Sequence, residues 1–143
     1  MKEMMYTSKR TFEILDRGFY NNYQYAIISY GSHPCCYVAL EKEDRYYEIE
    51  YDNIKLTCHG SFTYSEHGLF NMPFFTRIFR EEFWVIGWDY AHAGDYIGYI
   101  EHSMRSHNLL ARCKKWTTQE MLDEVHNVID QLNFINTREL LYS

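Results

Sequence analysis

Three side chains able to bind, ligate or move a proton fall within seven residues: Asp89, His92 and Asp95. They lie in the stretch Phe83–Gly98, Phe-Trp-Val-Ile-Gly-Trp-Asp-Tyr-Ala-His-Ala-Gly-Asp-Tyr-Ile-Gly. Its first half is apolar and aromatic and reads as a buried strand. Its second half is polar and punctuated by Gly94 and Gly98. A strand that runs into a polar, Gly-bearing loop presents side chains at the rim of a sheet. His59, followed by Gly60, ends another extended run and joins this group if the two strands are neighbours.

Three chemistries are open to His59, Asp89, His92 and Asp95. They can line a polar pocket that hydrogen-bonds a small molecule. Two imidazoles and two carboxylates can hold a divalent metal such as Zn²⁺ or Mn²⁺. An aspartate that orients a histidine is the core of acid–base catalysis. The structural alternative is that Asp89 caps the amides of the loop while His92 and Asp95 pin its turn. None of the usual motifs for phosphate-loop, nucleophile-elbow, zinc-protease or dinucleotide chemistry is present. No catalytic residue and no cofactor is therefore assigned, and binding rather than catalysis is the expectation.

The elements that must hold these residues are legible in part. In a strand over 83–89, Asp89 shares a face with Phe83, Val85 and Gly87, and Gly87 leaves space for a ligand or a crossing backbone. Aromatic and β-branched runs on either side of Asn21-Asn22 predict a hairpin with both asparagines left-handed, against a short helix over Thr11–Asp16. His33-Pro34 reads as a turn, Cys36–Leu40 as a strand, and Glu41–Asp44 as a charged connection. Tyr46–Tyr51 is expected to be extended. Strict alternation in Ile54–Cys58 predicts a half-buried strand, with His59-Gly60-Ser61 as a kink before strand Phe62–Tyr64.

Residues 65–80 are expected to be an aromatic loop with a short helical turn that lids the sheet. Phe70, Phe74, Phe75 and Phe79 there are candidates for a partner surface, the plainer reading being that they pack on the core. Residues 99–115 are locally basic, and Arg105 and Arg112, with Lys114 and Lys115, form either an anion-binding arm or a solvated patch. Thr117-Thr-Gln-Glu120 is a capping box that opens an amphipathic helix over about 118–132, in an element spanning 117–133. The tail beyond 133 either extends the helix or docks loosely. Residues 1–11 read as a loose lead-in. The expected fold is α+β: a mainly antiparallel sheet with one long C-terminal amphipathic helix packed on it.

Composition bounds the function. The 143 residues make one domain with room for a core. Aromatics are 18% of the chain, 14 of them Tyr, so many rings should lie at the core's edge or on a contact surface, where the hydroxyl finds a partner. A net charge of −6 argues against binding DNA by neutralising its phosphates. The four cysteines, Cys35, Cys36, Cys58 and Cys113, include no Cys-x-x-Cys pair. With no secretory leader and no membrane-length apolar run, the expectation is a cytoplasmic protein with reduced thiols and no membrane association. The Tyr-rich composition makes a homodimer possible.

Three blocks carry a resemblance: His33-Pro-Cys-Cys-Tyr-Val, His59-Gly-Ser-Phe-Thr-Tyr and Trp84-Val-Ile-Gly-Trp-Asp-Tyr-Ala-His-Ala-Gly-Asp. Together with a following helix that ends in Gln131-Leu132, they resemble a widespread group of small tailed-phage and prophage proteins. That group shows roughly Gly-His-x-Cys-Gly-Tyr-Val, His-Gly-Gly-Leu-Thr-Phe and Trp-Trp-Ile-Gly-Phe-Asp-Cys-Ala-His-Ala-Gly-Asp. The resemblance covers about residues 32–132, and the third block is the most specific. Cys36 and Ser61 stand where the group has Gly, and Tyr90 where it has Cys, which removes a thiol from the loop. The resemblance implies a phage accessory protein, expected to counter host immunity in the cytoplasm of a bacterial host. It would do so by blocking a defence protein such as a CRISPR–Cas effector, or by sequestering a nucleotide immune signal with Arg105 or Arg112 on its phosphates. The alternative is a small metal-dependent hydrolase acting on a nucleotide.

Overall fold

In a computed structural model of the chain, residues 13–30, 33–71, 76–91 and 114–142 are described. The lead-in, Phe74, Phe75, His92, Asp95, Arg105 and Arg112 lie outside the described residues.

The expected hairpin is present. Strands β1 (Glu13–Tyr20) and β2 (Tyr23–Ser29) flank a two-residue turn. Asn21 and Asn22 take φ of 45° and 77°, the two positive values that a type I′ turn requires and that Asn tolerates. β3 (Pro34–Leu40) follows, with Pro34 at its first position, where a missing N–H costs little. β4 (Tyr64–Asn71) and β5 (Thr76–Asp89) complete a five-stranded sheet of order β1-β2-β3-β5-β4, antiparallel at every pairing. Helix α1 (Thr118–Tyr142) packs across β1, β2 and β3. The architecture is therefore α+β, as its pattern predicts.

The two faces of the sheet are covered by different devices. On one, Met121, Val125, Val128, Ile129 and Leu132 of α1 bury against Tyr25, Ile27, Cys36, Val38, Trp84, Ile86 and Trp88. On the other, Ala26, Ile28, Cys35, Tyr37, Ala39 and Val85 are covered by Leu69, Ile78 and Phe79. These last three come from the region expected to be a loop. It is instead the far end of the β4–β5 hairpin.

That end folds back over its own sheet. In the β4–β5 register, His67 faces Trp84 but Leu69 already faces Phe79, so Gly68 alone opposes residues 80–83. Gly68 takes φ +75°, and a Cβ there would lie 3.0 Å from the Phe79 carbonyl oxygen, so only Gly suits the bend. Were the sheet to continue flat, β5 would run about 14 Å, three strand spacings, from β1. Yet Arg17 of β1 donates to the Ile78 carbonyl at 2.5 Å, and its guanidinium lies 5.6 Å from the Phe79 ring centre. The lid is present; its secondary structure is strand rather than loop and helical turn.

Three further expectations are corrected. Ile54–Cys58 alternates in burial as read, but it forms no ladder. Tyr46–Tyr51 is turn leading into a short 3₁₀ turn at Tyr51–Asn53 rather than extended strand. Of Phe62–Tyr64, only Tyr64 is in a strand. The helix, finally, continues past Leu132 to Tyr142, the first of the two courses expected for the tail. Asn133 Nδ2 donates to the Asn21 carbonyl at 2.9 Å, and Asn136 donates to Asp44 at 3.2 Å and accepts from the Arg45 amide at 3.0 Å.

Candidate functional site

Asp89 closes β5 opposite Cys35. That pairing puts its side chain on the hairpin-covered face. There it accepts from the Thr63 hydroxyl at 3.0 Å and from the Ala91 amide at 3.1 Å. The second bond is an Asx turn, in which a carboxylate fixes the backbone two residues on. Asp89 thus shapes the chain's exit from β5 at Tyr90 and Ala91.

His59 approaches from the other face. Its ring stacks on Tyr90, with centroids 4.5 Å apart and planes 8° from parallel, and it meets Trp116 edge-on at 4.8 Å. Tyr90 is buried and receives the Trp88 indole N–H at 3.3 Å. The kink at His59 is as read: Gly60 and Ser61 both have positive φ, 66° and 75°. His59 and Asp89 therefore converge on the same strand end from opposite faces, His59 through its stack on Tyr90, the residue after Asp89. His92 and Asp95, their proposed companions, are outside the described residues.

The space left by Gly87 does not serve a ligand. A Cβ at that position would lie 2.6 Å from Tyr37 Cδ1 and 2.7 Å from the Cys36 carbonyl oxygen. The Tyr37 ring occupies the gap, meets Tyr64 edge-on at 5.2 Å and shares a hydroxyl bond with Tyr30 at 2.9 Å. Among the described residues, no group of three or more His, Cys, Asp and Glu side chains is placed to hold a metal ion. No helix of the described residues is long and apolar enough to cross a membrane.

Two residues around His59 were not singled out from sequence. Tyr90 is adjacent to Asp89 and carries the stack. Trp116 precedes the helix cap and packs against the same core as Met121, four residues past it, which is the pattern of a hydrophobic staple. An apolar residue directly before a capping box is a signal that could have found it. Lys114, read as part of either an anion-binding arm or a solvated patch, is bonded to Glu120 at 2.7 Å and lies 4.1 Å from the Trp116 ring centre.

The partner-surface candidates divide. Phe79 is a core residue, 3% exposed, because its ring fills the space over β2 and β3. Phe70 is 47% exposed, and the Arg77 guanidinium lies over its ring at 5.9 Å. Phe74 and Phe75 lie outside the described residues.

Comparison with protein-family models, with curated proteins and with solved structures gave no match.

Proposed function

We propose that this protein is a phage-type counter-defence protein that works by binding, blocking a host defence protein such as a CRISPR–Cas effector in the bacterial cytoplasm. The observation that carries the mode of action is the folded-back hairpin. It is fastened to β1 through Arg17, and it holds Phe70 half-exposed under Arg77. An aromatic ring and an arginine on an anchored arm are the residue types that dominate protein–protein contacts, and anchoring lowers the ordering cost of association. The resemblance to small phage proteins supplies the biological class, and the arm supplies the contact.

Sequestration of a nucleotide signal, through His59, Asp89, His92 and Asp95 with Arg105 or Arg112 on phosphate, is the competing mode. Capture experiments with a panel of purified defence effectors separate the two. Capture that Phe70→Asp abolishes and His59→Ala leaves intact supports the blocking mode. Capture unaffected by Phe70→Asp, or no capture at all together with a thermal shift on adding cyclic dinucleotides, overturns it. Turnover of those nucleotides in the presence of a divalent metal would instead establish the hydrolase.

A further inference from the structure

Among the described residues, β1 is an edge strand of the sheet. In a two-residue hairpin the closing pair, Tyr20 and Tyr23, exchanges backbone hydrogen bonds, and this pattern recurs at every second residue. The backbone groups of Gly18 and Tyr20 therefore point to β2, and those of Arg17 and Phe19 point outward. The register slips between Ile14 and Asp16, which places both Leu15 and Asp16 on the helix side. Leu15 packs into the helix-side core there, and Asp16 accepts from the hydroxyl of Tyr25, a ring of that core.

The slip has a consequence for faces. Without it Ile14 and Phe19, five apart, would point to opposite sides of the sheet. With it, both share the face of Arg17. Ile14 is 39% exposed and Phe19, at 68%, is the most exposed large apolar side chain among the described residues.

We propose that the partner of this edge is a second copy of the chain, joined through antiparallel β1–β1 pairing about a two-fold axis at Arg17. In an antiparallel pair, residues facing each other must lie on the same face. An axis at Arg17 satisfies that rule along the strand. It sets Ile14 of each copy opposite Phe19 of the other, twice per interface, and Asp16 opposite Gly18, which has no side chain to collide. The apparent conflict, Arg17 facing its own copy, is relieved because each guanidinium is drawn inward across its sheet to the Ile78 carbonyl and the Phe79 ring.

The helices do not obstruct this arrangement. Each spans β1 to β3 and so centres near β2. Two such helices would run about 14 Å apart across the axis, beyond the 8–10 Å of packed helices. The product is a continuous ten-stranded sheet, each copy contributing the five strands observed, and the exposed edge at β1 disappears.

Sedimentation equilibrium on the full chain tests the proposal. The expected result is twice the monomer mass of 17.4 kDa. Phe19→Asp, at an exposed position, is expected to give a folded monomer by circular dichroism, with dimer affinity down by at least about 100-fold. Phe19→Pro is expected to do the same, since the lost N–H is the one pointing outward. The double variant Ile14→Lys with Phe19→Asp places opposite charges at both contacts and is expected to restore the dimer. Phe134→Asp, exposed on the helix, is expected to leave it intact. A wild-type monomer at all concentrations overturns the proposal, as does a dimer indifferent to both Phe19 variants or a double variant no better than Phe19→Asp.

Discussion

Gln131 of α1 and Thr57 exchange a pair of amide hydrogen bonds: Gln131 Nε2 donates to the Thr57 carbonyl at 2.8 Å, and the Thr57 amide donates to Gln131 Oε1 at 2.9 Å. A side-chain amide here takes the place of a neighbouring strand. It satisfies both backbone groups of a residue in a segment that has no ladder of its own, and it ties that segment to the helix.

Gln131→Ala should therefore cost more than an exposed helix substitution ordinarily does. The expected loss is about 1 to 2 kcal/mol, read from the urea midpoint at constant slope. Gln131→Glu keeps an acceptor for the Thr57 amide but sets a second acceptor against the Thr57 carbonyl, so it should recover little of that loss. A change within a few tenths of a kcal/mol for both variants would show that the segment is held by Ile54 and Leu56 alone.

The same pair shows where sequence reading stops. Alternation at Ile54, Lys55, Leu56 and Thr57 reported burial correctly, because period two describes any extended chain lying on a core. It could not say whether the neighbour was a strand or a glutamine 74 residues away. The hairpin at Asn21-Asn22 was legible because its signal is local: two left-handed residues between two apolar runs. The cap at Thr117 was legible for the same reason. Of the helix beyond Leu132 only the alternative was legible, extension or loose docking, and Ile135 on the core with long-range bonds from Asn133 and Asn136 decides for extension. The bend at Gly68 also escaped, since nothing local distinguishes a glycine in a loop from one that folds a hairpin over its own sheet. Of the candidate site, the kink at His59 and the turn-forming role open to Asp89 were readable. The stack on Tyr90 was not, because it joins residues 31 positions apart in the chain.

Gly87 is expected to be the least replaceable glycine among those in the described strands. In Gly87→Ala the new methyl would meet both the Tyr37 ring and a backbone oxygen within 2.7 Å, and the backbone has nowhere to go in a central strand. A loss of about 2 kcal/mol or more is expected. Gly18→Ala serves as the contrast. Its nearest obstacle is the end of the Tyr25 side chain at 2.8 Å, on an edge strand that can give. Thermal melts of the two variants should rank Gly87→Ala clearly lower, and equal melting temperatures would refute the close-approach argument.

The described cysteines should be inert in the native protein. Burial pushes the Cys35 thiol up to about 12, with the Asp89 charge adding to it, and burial does the same for Cys58, helped by Glu124. Burial raises Cys36 well above the ordinary range. The thiolate is the reactive form, so alkylation at pH 8 should be slow at all three and become fast in denaturant, as peptide mass spectrometry would resolve. The sign of the linkage follows. A thiol raised by folding favours the folded state below the ordinary thiol value of 9.0, and that advantage is lost as pH rises toward 12. Rapid native labelling of Cys58 would mean that its cover opens readily.

The cap of α1 couples stability to acid. Glu120 accepts from the Thr117 amide at 3.1 Å while its own amide donates to the Thr117 hydroxyl at 3.1 Å, and Lys114 pairs with the same carboxylate. The bond from Lys114, together with that from the Thr117 amide, holds the Glu120 carboxyl below its ordinary value. A carboxylate lowered on folding stabilises the fold above its unfolded pKa of 4.5, and the contribution disappears as pH falls through the lowered, folded value. Glu120→Gln keeps the capping geometry but removes the charge. It should melt below the wild type at pH 7, and the gap should close once the wild-type carboxyl is protonated. Thr117→Ala removes the hydroxyl acceptor itself, so about 1 kcal/mol should be lost at both pH values. A Glu120→Gln deficit that persists undiminished in acid would place the effect in packing and not in charge.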